Sequence, residues 1–216
     1  MYTGIVQAVA PIEKTVRHIG HTQFFVDFPE GLAEDLKIGG SVSIEGVCMT
    51  ATSISGNMVT FDAMDATLSR TNLSDLCAGD PVNVERSAKP NEENGGHNIA
   101  GHIATTAVLT EISTDPKNSF IRFRVPQEWA KYIFARGYLA VNGASLTVAE
   151  AEGDIFTIYL IPETIRQTTF SRYKPGDRIN IEVDHQTMVM VDVMERTLAR
   201  LLPQSVAASE AGRKAG

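Results

Sequence analysis

Cysteine is scarce in this chain: its 216 residues include only Cys48 and Cys77. Two cysteines make a disulfide framework implausible and set a reducing cytosol as the expected compartment. Long apolar runs are also missing, and none approaches the roughly 18 residues of a membrane span. The opening Met-Tyr-Thr-Gly-Ile-Val has no basic segment followed by an apolar core, so no secretory signal is expected. Positive charge is not in excess: 19 Lys and Arg stand against 26 Asp and Glu, for a net charge of −7. With the signs interspersed, this argues against a nucleic-acid surface and gives no membrane cue. There is no phosphate-cradling glycine loop. His97 and His102 have no cysteine near them in sequence, so no metal is expected. The hydrophobic fraction of 43% and charged fraction of 21% are those of an ordinary soluble globular protein.

What the chain does have is an internal repeat. At a constant offset of 97 positions, Gly4 falls on Gly101, Pro29 on Pro126, Gly40 on Gly137 and Gly46 on Gly143. Thr50, Thr67 and Thr71 fall on Thr147, Thr164 and Thr168. The run Gly-Asp-Pro-Val-Asn-Val-Glu at 79–85 falls on Gly-Asp-Arg-Ile-Asn-Ile-Glu at 176–182. Matches of Gly, Pro, Thr and Asp without a gap mean a duplicated domain. Such a chain offers two similar pockets, and its function is expected to treat two like molecules together.

Each repeat contains about six short β-rich runs separated by turn residues, the pattern of a closed antiparallel barrel. The runs are 4–10, 23–28, 41–44, 48–54, 58–62 and 81–86, then 101–109, 120–125, 138–141, 145–149, 155–161 and 178–183. Two short helices are expected per repeat, at 29–37 and 71–76 and at the matching 126–136 and 168–173. The fold class is therefore mainly β: two tandem six-stranded Greek-key barrels, 1–86 and 98–185, joined by a polar, breaker-rich linker at 87–97. Beyond them, Val191, Met194, Leu198 and Leu201 make a helical seam over 186–202 that has no copy in the first repeat. Such a helix can pack on its own barrel or join partner chains. The small, polar stretch 203–216 is expected to be disordered.

The matched pair Glu-Gly-Val-Cys-Met-Thr at 45–50 and Asn-Gly-Ala-Ser-Leu-Thr at 142–147 carries the most chemistry. A tight turn delivers a thiol, Cys48, or a hydroxyl, Ser145, at the start of a strand. A threonine two residues on shares its face. The plain alternative is a small buried residue beside a turn. His102 has Ile5 as its mate, so the two pockets are expected to have unequal jobs. A histidine there can move protons or simply be a hydrogen-bonded strand residue. On pattern alone, Asp184 is a solvated strand end.

The motifs become specific in combination. Met-Tyr-Thr-Gly-Ile-Val at 1–6, Gly-Val-Cys-Met-Thr at 46–50, Arg-Thr-Asn-Leu at 70–73 and Gly-Gly-His-Asn-Ile-Ala-Gly-His at 95–102 occur in this order. Asn-Gly-Ala-Ser-Leu-Thr at 142–147, Leu-Ile-Pro-Glu-Thr-Ile at 160–165 and Pro-Gly-Asp-Arg-Ile-Asn-Ile-Glu-Val-Asp at 175–184 follow. Together they resemble the riboflavin synthases of the alpha-chain type, from Met1 to about Leu202.

The resemblance implies two barrels, each binding one 6,7-dimethyl-8-ribityllumazine, in a homotrimer held by the C-terminal helix. Catalysis would fall between the first barrel of one subunit and the second barrel of its neighbour. A four-carbon unit would pass between the lumazines, giving riboflavin and 5-amino-6-ribitylaminouracil without a cofactor. Cys48, His102, Ser145 and Asp184 would be the polar catalytic groups. In the first pocket the resemblance places Tyr2, Cys48, Met49, Thr50, Asp62, Ala63, Met64, Asp65, Ala66 and Thr67. In the second it places Ser145, Leu146, Thr147, Leu160, Ile161, Pro162, Glu163, Thr164 and Ile165, with Arg136. Gly4, Ile5 and Val6, and Gly101, His102 and Ile103, would line the two pockets with backbone.

Three positions depart from the family pattern: Tyr2 replaces a phenylalanine, Asn142 replaces a common aspartate, and Arg136 replaces a lysine. Asparagine cannot act as a base. The alternative function is that of the lumazine proteins, fluorophore carriers that lack synthase activity and tend to lack the polar groups retained here.

Overall fold

The computed structural model describes residues 1–91, 93–115 and 118–213. Residues 1–183 form one compact unit and residues 184–216 a second.

In the first repeat, β1 (Ala8–His18), β2 (His21–Asp27), β3 (Ser41–Ile44), β4 (Val47–Ser55), β5 (Met58–Met64) and β6 (Pro81–Arg86) close into a barrel. Their order is β1-β2-β5-β4-β3-β6. Alternation explains the interior: Phe24, Val26, Val42, Ile44, Val59, Phe61, Val82 and Val84 all point inward and are buried.

The second repeat gives a seven-stranded sheet, β10-β9-β13-β7-β8-β12-β11. Its strands are β7 (Thr105–Asp115), β8 (Asn118–Arg124), β9 (Tyr138–Val141), β10 (Ala144–Thr147), β11 (Glu150–Glu152), β12 (Ile155–Tyr159) and β13 (Arg178–Val183). The edge strands β10 and β11 are the two pieces of the counterpart of β4, separated by Val148 and Ala149. The sheet therefore curls until its edges meet along one stretch of chain. At the break, the Val148 amide donates to the Gly137 carbonyl at 2.9 Å, as Ala51 does to Gly40 in the first repeat. Phe123 and Phe156 stack at 5.0 Å in its core.

The expected helices at 29–37 and 126–136 are mostly turns. Gly31 (φ 84), Asp35 (φ 58) and Arg136 (φ 70) are left-handed, which breaks a helix wherever it occurs. Only α2 (Gln127–Ala130) forms there. The segments at 71–76 and 168–173 are 3-10 turns, Asn72–Asp75 and Thr169–Arg172. Two short helices that the sequence reading missed precede them, α1 (Asp65–Leu68) and α3 (Pro162–Gln167). Residues 4–7 and 101–104, expected to begin strands, are irregular.

The second unit is one helix, α4 (His185–Arg213). It runs past Leu202, where the sequence reading ends it, and 214–216 of the expected tail lie outside the described residues. Val189, Met190, Val193, Met194, Leu198 and Leu201 are exposed along it. Asp184 caps it, accepting the Thr187 amide at 2.8 Å and the Thr187 hydroxyl at 2.7 Å. Carboxylates suit that position because the first helical N–H groups have no intrahelical acceptor.

Candidate active site

The two repeats meet through contacts that obey a local two-fold exchange. The Cys48 amide donates to the Gly101 carbonyl at 2.9 Å, and the Ser145 amide to the Gly4 carbonyl at 2.8 Å. Tyr2 and Ile99 exchange both backbone bonds, at 2.7 and 3.0 Å. Each repeat thus lends its leading segment to the other repeat's nucleophile-type strand. The fit is close: a Cβ on Gly101 would lie 2.6 Å from Cys48 Cβ, and one on Gly4 2.5 Å from Ser145 Cβ. Both glycines have positive φ, 80° and 77°, which other residues rarely adopt.

Two buried carboxyls hold these segments. Glu85 accepts the Thr3 and Gly4 amides at 2.6 and 3.0 Å, and Glu182 accepts those of Ala100, Gly101 and His102 at 2.7, 2.9 and 3.1 Å. Burial raises the pKa of both, against the opposing pull of these N–H donors. The capture explains why the chain leaves the strand ladder at Gly4 and at Gly101–His102, whose amides go to side chains, while the Gln7 and Ala104 amides return to backbone carbonyls of Val84 and Ile181.

A cavity of about 420 Å³ opens on the Ser145 side. Gly4, Ile5, Val6 and Gln7 form one wall. Ala144, Ser145, Leu146, Ile161, Glu163, Thr164, Gln167 and Thr168 form the rest. Eight of the expected site residues therefore come together, but the wall at 4–7 belongs to the first repeat. Thr147 is exposed on β10 beside them, Pro162 and Ile165 sit on α3, and Leu160 is nearly buried. Arg136 is exposed and donates its amide to the Val148 carbonyl at 2.7 Å.

On the Cys48 side, Thr50, Met64, Asp65, Ala66 and His102 are exposed, and Asp62, Thr67 and Ile103 are half-buried. Asp62 accepts Gln23 Nε2 at 2.9 Å. Met49 and Ala63 point into the barrel core, with 4% and 1% exposure, so only their backbones are free to face a ligand. Tyr2 is a correction of the same kind. Its ring is buried with Ile99 and Ala140, and it reaches the site through its hydroxyl, 3.2 Å from Cys48 Sγ. Burial, and then the Cys48 contact, push its phenol pKa up.

His97, which the sequence places at the end of the linker, reaches the Ser145 side. Its Nδ1 lies 2.6 Å from Ser145 Oγ, and its ring stacks on Tyr138 at 5.5 Å. Its place beside a glycine pair in a breaker-rich stretch made it look like linker. Yet the Gly96 carbon approaches Ser145 so closely that a Cβ there would sit 2.8 Å from Ser145 Cβ. Asp184 serves as the α4 cap. Among the described residues no group of three or more His, Cys, Asp or Glu is placed to hold a metal.

Comparison with known proteins bears on this arrangement. The lumazine binding domain family matches residues 3–87 and 100–184, one match per repeat. Riboflavin synthase of Escherichia coli (strain K12) is 44% identical over 200 residues, covering 92% of this chain and 94% of that one. Riboflavin synthase of Buchnera aphidicola subsp. Schizaphis graminum (strain Sg) is 38% identical, covering 93% and 97%. The chain belongs to the riboflavin synthase family. Among solved structures, LumP complexed with riboflavin superposes with a TM-score of 0.79 at 25% identity, covering 86% of this chain and all of that one. Within the riboflavin synthase family, then, the duplicated lumazine binding domain accounts for the two-fold pattern. The paired Cys48 and Ser145 positions are what the two copies present.

Proposed function

We propose that this chain is a riboflavin synthase, joining two molecules of 6,7-dimethyl-8-ribityllumazine into riboflavin and releasing 5-amino-6-ribitylaminouracil. One observation carries the reading. Two equivalent strands present a thiol and a hydroxyl, each beside a segment lent by the other repeat, and the hydroxyl is 2.6 Å from an imidazole. Such a pair suits a reaction between two like molecules in unlike roles.

The chemistry asks little of the protein. The lumazine C7 methyl is acidic because its carbanion delocalises into the ring, so a mild base removes the proton. A nucleophile adding to C7 activates the other lumazine. We assign proton movement to His102 and the His97–Ser145 pair, and the role of first-pocket thiol to Cys48. Most of the rate comes from holding two rings face to face. Thr50, Thr67, Thr147 and Thr164 are assigned to ribityl and ring edges, and no cofactor is required.

The exposed apolar face of α4 fits a role joining copies of the chain, and the family resemblance is what suggests that the copies number three. No helix among the described residues is long and apolar enough to cross a membrane. A cytosolic setting agrees with two unpaired cysteines.

The carrier reading predicts binding without turnover. Purified protein incubated with the lumazine alone should yield riboflavin and the diaminouracil in equal amounts. A lumazine that stays bound and unchanged would overturn the proposal in favour of the carrier.

A further inference from the structure

The turns that precede Cys48 and Ser145 are two-residue hairpin loops with both residues left-handed. Glu45 (φ 50) and Gly46 (φ 82) form one, Asn142 (φ 45) and Gly143 (φ 83) the other. Asn-Gly is a preferred pair for this turn because asparagine tolerates positive φ. Glutamate is a poor choice by the same rule. Here it is also fully buried and ionisable. A strained, buried, ionisable residue where a relaxed neutral one is available calls for a reason.

Reach supplies one. Asn142 Oδ1 accepts the Asn180 amide of its own repeat at 2.7 Å. Glu45 Oε1 does the equivalent with the Asn83 amide at 2.6 Å. The longer Glu45 side chain then crosses the junction: Oε1 accepts the Thr169 hydroxyl at 3.2 Å, and Oε2 accepts the Tyr173 hydroxyl at 2.9 Å. Tyr173 in turn accepts Asn142 Nδ2 at 2.8 Å. The mate of Tyr173 is Leu76, so this tie exists on one side only.

Its two ends matter. At one end, the Glu45–Gly46 turn leads directly into Cys48. At the other, Thr169 follows Gln167 and Thr168, which line the Ser145 cavity. We propose that Glu45 is a positioning residue for turnover, fixing the Cys48 turn of one repeat against the segment behind the other repeat's pocket through Thr169 and Tyr173. This rests on the function proposed above. The carboxyl faces Asn83 on β6, Asn72 on the first 3-10 turn, Thr169 on the second, and Tyr173 directly after it. Of these Tyr173 alone titrates.

The test compares kcat, KM and melting temperature for wild type, Tyr173→Phe, Glu45→Gln and the double variant. Tyr173→Phe leaves the turn and its carboxyl in place, so it carries the test if Glu45→Gln does not fold. Small misplacements of reacting groups cost roughly 10- to 100-fold. We expect kcat per folded enzyme to fall by about that much, with KM within about three-fold. The double variant should be no worse than the worse single one, because the two residues act as one tie. Glu45→Asp keeps the carboxyl but not the reach, and it should fail like Tyr173→Phe. Variants with lower melting temperatures and unchanged kcat would overturn the proposal while leaving the function intact. An inactive wild type would remove the function reading first, and this one with it.

Discussion

His97 Nδ1 and Ser145 Oγ lie 2.6 Å apart, although the sequence places His97 in a stretch that reads as a linker. The ring is held from its face by Tyr138, so the imidazole is oriented toward the hydroxyl as well as near it. That arrangement suits proton movement at Ser145.

Ser145→Ala should reduce turnover roughly 100-fold or more, the usual scale for losing a positioned acid–base group. His97→Ala should do much of the same damage. The double variant should match Ser145→Ala, because the imidazole then has nothing to act on. Steady-state kinetics on the three variants decide it, and fully multiplicative losses would show that the two residues act separately.

Several features were legible in sequence because they are local. The strands at 41–44, 81–86, 138–141 and 178–183 follow from alternation and flanking turns, and the structure ends them at the same residues. The repeat offset correctly paired Cys48 with Ser145. It could not say which repeat's leading segment packs on which strand, because an offset names equivalents and not neighbours. His97 escaped for a related reason. At this offset it has no mate in the first repeat, so the duplication carries no signal there. Met49 and Ala63 were placed in the first pocket by resemblance, whereas strand alternation turns their side chains into the core.

Asn142→Asp tests whether this family position needs an acid. The buried Asn142 amide donates to Tyr173, whose hydroxyl already serves Glu45. An aspartate would put two carboxyls on one phenol, and one of them would have to keep its proton. The variant should lose about 1–3 kcal/mol of stability at neutral pH, the cost of a broken buried hydrogen bond, and gain no rate. Denaturant melts with turnover measured alongside would settle it. A faster variant of equal stability would restore the acid role.

Glu45 also makes stability depend on pH. Burial raises its pKa from 4.5 to about 7, against the pull of its hydrogen-bond donors. Between those values the folded chain keeps a proton that the unfolded chain releases. Stability from this group is therefore full below about pH 4.5, falls as pH rises and levels off above about 7, a change of roughly 3 kcal/mol. Glu45→Gln should flatten that part of the unfolding free-energy profile relative to wild type. An unchanged slope would mean that Glu45 is ionised throughout.

Removing the chain from Gln186 onward leaves intact the compact unit formed by residues 1–183. The truncated protein should fold, sediment as a monomer and still bind a non-reacting lumazine analogue. Its turnover should nearly vanish if the reacting pair sits on two chains, because proximity of oriented reactants is worth ~7–11 kcal/mol. A truncated monomer with near-normal turnover would place both reacting lumazines on one chain.

The lending of residues 4–7 to the Ser145 strand, and of 101–104 to the Cys48 strand, has a consequence for how such a protein could arise. The Ser145 cavity takes one wall from the first repeat, and Gly101 stands in the same relation to the Cys48 strand. An ancestor with a single repeat would have needed a twin, each copy supplying the other's missing wall. Fusion of the two genes would then have turned a reciprocal dimer into one chain. Once both walls were encoded together they were free to diverge, as Ile5 and its counterpart His102 do.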